Sequence, residues 1–240
     1  MFGYDEAVTQ RFPTIRAGVV HARGLNNGAS PERLLEQYGD EQRAAGERLS
    51  GTAIAELDPI AAWRRVFSAF GAKPTQYRCA AEALLRRLAK QGDIPSISTL
   101  VDIGNLVSIR YAMPVAVFDP ATAGGPMTVR FATGGERFTD LGSSETVNPE
   151  PGEVIFVDDD GVVSARRWCW RQSARSATGP ATSEALIVVE GHHEAAAQDV
   201  KAAVDDLSTL LASHQPGSSL EGHLLSPAAP SMSSGGGLPG

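Results

Sequence analysis

Cysteine is scarce. Two in 240 residues cannot build a disulfide framework, and Cys79 and Cys169 stand far apart without metal-ligand spacing. Such usage is expected of a reduced, cytoplasmic protein. No apolar run approaches the roughly 20 residues that cross a bilayer, so no membrane association is expected. The opening MFGYDEAVTQRF lacks a basic segment followed by an apolar core, so no signal peptide is expected. No nucleophile elbow, Walker loop, Rossmann glycine pattern or zinc spacing is present, and no metal or cofactor is expected. Aromatics make up only 6%, with three tryptophans, so two of them falling together at Trp168 and Trp170 is informative.

Excess positive charge is also missing. The net charge is −7, which argues against a general nucleic-acid binder. The distribution is uneven, however. Between Ile60 and Lys90 seven cations face the single acid Glu82, a balance of +6, and between Gly161 and Ser183 four arginines face none. The remainder carries −17. These two segments make one anion-attracting face if the fold joins them, and solvated helix and strand faces if it does not.

What is present reads as a single α+β domain over residues 1–214. Ile15 to Ala22 alternates as a strand, closed by Asn26-Asn27-Gly28. Ser30-Pro31 starts a peripheral helix to about Leu49. Asp58-Pro59 starts a second, with Ile60, Trp63, Phe67 and Phe70 at helical spacing, and Gln76 to Lys90 reads as a third. Strands follow at Thr128–Ala132, Arg137–Asp140 and Glu153–Val157. A hairpin crosses Asp158-Asp159-Asp160-Gly161, which lacks the later ligands of a calcium loop. ALIVV, Ala185 to Val189, reads as a fully buried strand, and Ala195 to Leu211 as an amphipathic helix. Residues 215–240 are rich in Gly, Ser and Pro, and their composition predicts a disordered tail.

Few residues carry recognisable chemistry. His192-His193-Glu194 has no third ligand at a recognisable spacing. In a strand, Trp168 and Trp170 would share one face; they either wall a pocket or belong to the core. Arg171 and Ser173 beside them suit a carboxylate, ester or phosphate, although Arg171 is equally suited to pairing with an acid. Asp102 and Asn105 interrupt the apolar stretch STLVDIGNLVSIRYAMPVAVFD, where Asp102 can cap the chain that follows and Asn105 can hold a loop or a ligand.

The pattern I-x-x-x-V-D-I-x-N-x-V-x-x-x-x-x-x-P-x-x-x-F-D from Ile97 to Asp119 resembles the B3/B4 domain of the bacterial phenylalanyl-tRNA synthetase beta subunit. The likeness continues through Met127-Thr128-Val129-Arg130, GGERF, Leu141-Gly142 and ALIVV, and covers roughly Pro95 to Gly191. Ala62-Trp63-Arg64, Tyr77-Arg78, Glu82-Ala83-Leu84, Trp170-Arg171-x-Ser173 and Val188-Val189-Glu190-Gly191 resemble stand-alone B3/B4 proteins. The resemblance implies a B3/B4-like domain with a mixed, largely antiparallel sheet, packed helices and a pocket. In the synthetase that pocket hydrolyses tyrosine mischarged on tRNA(Phe). It implies that Asn105 falls on the family's pocket asparagine, and Glu190 is the candidate for its last-strand acid. Gly104 stands where the family has threonine, and Ala116 where it has histidine. No aminoacylation machinery is present.

Three functional readings follow. The first is a trans-acting aminoacyl-tRNA deacylase. Asn105 and Glu190 are its candidate catalytic residues, and Trp168, Trp170, Arg171 and Ser173 bind substrate. Arg64, Arg65, Arg86 and Arg87 are its candidate tRNA contacts. The second is a module that binds an amino acid or aminoacyl end without hydrolysis. The third is a small-molecule enzyme sharing only the fold.

Overall fold

The computed structural model describes residues 1–232. The first expected strand is β2 (Arg16–Arg23), and ALIVV is the middle of β10 (Glu184–Gly191). They pair antiparallel from Glu184↔Arg23 to Gly191↔Arg16. β3 (Val115–Phe118) flanks β10, and β11 (Ser219–Leu225) flanks β2, in the order β11-β2-β10-β3. An inner strand covered on both faces carries apolar residues without alternation, which is why ALIVV has none.

One face of this sheet is covered by α5 (Thr99–Tyr111) and α6 (Ala196–His214), with α2 (Glu32–Arg48) packed behind α5. Two glycines let them approach. A Cβ on Gly18 of β2 would stand 2.2 Å from Val204 Cγ2 of α6 and 3.1 Å from Val189 Cγ1. A Cβ on Gly104 of α5 would stand 2.9 Å from Val117 Cγ2 of β3. Val189 and Val117 therefore point to the helical face. By the two-residue period of a strand, Glu190, Ala116 and Phe118 point to the other.

That other face meets a second sheet, in the order β1 (Phe2–Tyr4), β4 (Met127–Phe131), β7 (Val154–Val157), β8 (Val163–Arg166), β9 (Arg171–Gln172). β1 runs parallel to β4; the other pairs are antiparallel. Phe156 of β7 joins the sheets, with its ring centroid 5.8 Å from that of Phe2 and 5.4 Å from that of Phe118. α3 (Asp58–Ala69) and α4 (Ala80–Gln91) close the side, and α1 (Glu6–Arg11) follows β1. β5 (Phe138–Thr139) and β6 (Thr146–Val147) form a small ribbon.

Four expectations are corrected. The third helix starts at Ala80 rather than Gln76. Asp102, expected to cap the chain that follows, and Asn105, expected to hold a loop or a ligand, both lie within α5. Its Asp102 is fully buried and holds the preceding chain, accepting from Ser30 Oγ at 2.6 Å, from Ser96 Oγ and from Ile97 N–H at 2.9 Å. Trp168 and Trp170 lie in a turn, not a strand. Arg167 and Trp168 both adopt left-handed backbone, with φ of +44° and +60°, and burial of the whole indole offsets that conformational cost.

The tail from Gln215 is ordered through Met232, because β2 offers an unpaired edge that β11 fills. Beyond it, Tyr4 N–H donates to Pro230 O at 2.8 Å and Met232 N–H to Phe2 O at 3.0 Å. Residues 233–240 lie outside the described residues.

Candidate active site

The two sheets enclose a cavity of about 70 Å³. Its walls are mostly apolar. Val115, Ala116 and Phe118 come from β3, Phe156 from β7 and Ala165 from β8, while Trp168, Cys169 and Trp170 come from the turn. Its one carboxylate is Glu190, near the end of β10.

Glu190 is buried, and its Oε1 accepts two hydrogen bonds, from Tyr4 Oη at 2.5 Å and Trp168 Nε1 at 2.8 Å. Among the described residues Oε2 has no hydrogen-bond partner. Burial pushes the carboxyl up to about 7, and the hydrogen bonds from Tyr4 and Trp168 pull in the opposite direction. Tyr4 itself is held well above the usual phenol range, first by burial and then by the Glu190 charge, so it remains a donor. A carboxylate that titrates near neutrality, with one oxygen fixed and the other unpartnered, suits a general base.

The other reactive group in the cavity is Cys169. Burial pushes its thiol well up, and the neighbouring Cys79 adds to this, so it stays protonated and is a poor nucleophile. Behind the wall, His192 is packed between Trp63 and Trp168, with centroids 4.6 and 5.2 Å away. Burial lowers it to about 3, so it is neutral; His193 instead pairs with Asp199 at 2.8 Å.

Outside the cavity lies a groove lined by Gln76, Arg78, Asp140, Trp170 and Arg171. Trp170, Arg171 and Gln172 line both spaces, so the groove adjoins the cavity. The two basic segments meet here, Arg78 from one and Arg171 from the other. Tyr77 and Trp170 pack edge to face at 4.9 Å, with the Arg167 guanidinium 4.0 Å and 4.9 Å from their centroids.

The expected site residues thus divide. Glu190, Trp168, Trp170 and Arg171 come together at the cavity. Asn105 does not: α5 lies behind the sheet, Gly104 faces β3, and Asn105 sits one step round the helix beside Tyr38 of α2. Ser173 does not either. It is fully buried and ties the turn, donating to Thr139 O and accepting from Arg175 N–H, both at 3.1 Å. Arg171 pairs with Asp140 at 2.9 Å and remains half exposed.

Arg64 and Arg86 both pair with the fully buried Glu82 at 2.9 Å, with Arg78 at 3.9 Å. Three guanidinium groups on one carboxylate still leave a net positive cluster. Arg65 and Arg87 are exposed. Sequence reasoning missed Tyr4, because a three-residue strand has no measurable period, and missed the pocket walls Phe118 and Phe156.

The molecule is an α+β domain whose two sheets close over the buried Glu190. The chain belongs to the B3/4 domain family, which matches residues 62–212. It is similar to phenylalanine--tRNA ligase beta subunits, 41% identical over 83 residues to that of Geobacter metallireducens, covering 34% of this chain and 10% of that protein. With that of Neisseria meningitidis the identity is 38% over 79 residues, covering 33% of this chain and 10% of that protein. The chain thus spans about a tenth of the length of these relatives. An N-terminal fragment of the phenylalanyl-tRNA synthetase beta subunit from Pyrococcus horikoshii overlays with a TM-score of 0.47 at 15% identity, covering 92% of this chain and 50% of that one.

Proposed function

We propose that this protein is an aminoacyl-tRNA deacylase, hydrolysing the ester between an amino acid and the terminal ribose. The carrying observation is Glu190, a carboxylate near pKa 7 with one oxygen free at the floor of a cavity that adjoins a groove bearing Arg78 and Arg171. In this reading the aminoacyl group enters the cavity, and the groove takes the phosphates of the RNA end. Water held by Glu190 Oε2 attacks the ester carbonyl and passes a proton to the carboxylate. The ester C–O bond then breaks, and the ribose oxygen leaves with that proton. The products are a free amino acid and a free ribose hydroxyl. Tyr4 and Trp168 hold the carboxylate in place and keep it partly ionised at neutral pH.

The test is amino-acid release from a panel of charged tRNAs. Glu190→Gln should lower the rate by about 100-fold or more, the usual contribution of a general base. Release at an unchanged rate would refute the assignment. Saturable binding of an aminoacyl end with no ester loss would replace it with the binding-module reading.

A further inference from the structure

The cavity also limits what it admits, and this inference rests on the deacylase reading. We propose that the site accepts aminoacyl groups with small side chains only, such as glycine, alanine, serine and cysteine, and that Trp168 and Trp170 set the limit. An apolar cavity that holds benzene measures about 150 Å³. The space here is about 70 Å³, roughly half of that.

The walls are held by their neighbours. Trp168 is fully buried, its backbone N–H bonded to Val154 O at 2.6 Å and its Nε1 to Glu190 at 2.8 Å. Its ring packs edge to face against Phe12 and Trp63, both at 5.3 Å. Trp170 is held by Tyr77 on one side and by the Arg167 and Arg171 guanidiniums, 4.9 and 5.0 Å from its centroid. Phe118 and Phe156 close the far side against each other. Acidic side chains are excluded on other grounds. The lining is mostly apolar, and its one carboxylate opposes a second acid.

Two measurements test this. The first is release from tRNAs charged with alanine, serine, phenylalanine and tyrosine, by the wild type, Trp170→Ala and the milder Trp170→Phe. The wild type should release alanine and serine about tenfold or more faster than the aromatic residues, and the aromatic-to-alanine ratio should rise in the variants. The second is ligand-detected NMR with alaninamide and phenylalaninamide, which needs no chemistry. Phenylalanine released as fast as alanine would overturn the size limit and leave the deacylase reading standing. No release from any tRNA, with alaninamide bound and phenylalaninamide excluded, would support the size limit and overturn the deacylase reading. No release and no size-dependent binding would overturn both.

Discussion

At the residue scale, the proposed base Glu190 also bears on stability. Its carboxyl lies near 7 when folded against an ordinary 4.5, so the unfolded chain loses this proton first. The group's full support for folding is present below about pH 4.5 and is lost progressively as the pH rises through about 7. Glu190→Gln keeps the shape and can still accept from Tyr4 and Trp168, yet removes the buried charge. It should raise stability at pH 8 by up to ~3 kcal/mol and change it little at pH 4, as measured by urea denaturation at both. A variant no more stable than wild type at pH 8 would show that the carboxylate is better solvated than its burial indicates. Tyr4→Phe removes a donor that favours the charged form. The pH–rate midpoint should therefore move above that of the wild type; a midpoint unmoved or lower would exclude Tyr4 from tuning the carboxylate.

At the element scale, close contact between helix and strand decides. Gly18 leaves no space below α6, and its added Cβ would meet Val204, a short branched side chain that cannot swing aside. Gly18→Ala should cost about 1–3 kcal/mol, read as a lower urea midpoint, because α6 must shift. Gly104 does the same for α5 against β3. Gly104→Thr should be destabilising by a similar amount, and a wild-type midpoint would mean that α5 has slack to move. The sequence signals for these helices were legible in part. Asp58-Pro59 and Gly92 bound α3 and α4 much as their chemistry predicts, Gly92 taking φ of +82° with its N–H on Leu88 O. α5 was less legible, because it is apolar nearly all round and so shows no stripe.

At the scale of the whole molecule, the C-terminal segment completes both sheets. β11 covers the edge of β2, and Pro230 and Met232 bond to β1, the strand that carries Tyr4. Ending the chain after Gln215 should expose β2 and lower the thermal midpoint or drive aggregation, measured by differential scanning fluorimetry and light scattering. A truncated chain as stable and monomeric as the full one would show that β11 is dispensable. The joined basic segments give a second prediction. If the groove takes phosphates, tRNA binding should weaken steeply with salt, and Arg78→Ala should flatten that dependence. A salt-independent affinity would remove the groove from RNA binding.

The sequence by itself determined the α+β class, the main helices with their proline and glycine bounds, and the central ALIVV strand, and it singled out Glu190, Trp168, Trp170 and Arg171 as candidates. Each of these rests on local periodicity, local backbone chemistry or a run of family-like residues. Only the tertiary structure decided that Asn105 lies behind the sheet, that Ser173 ties a turn, that Tyr4 reaches Glu190 and that the last strand is ordered. These depend on pairings between residues far apart in the chain. Tyr4 and Glu190 are 186 positions apart. Such contacts are set by which sheet edge is unpaired and which face is covered, and neither is encoded in any short stretch of sequence.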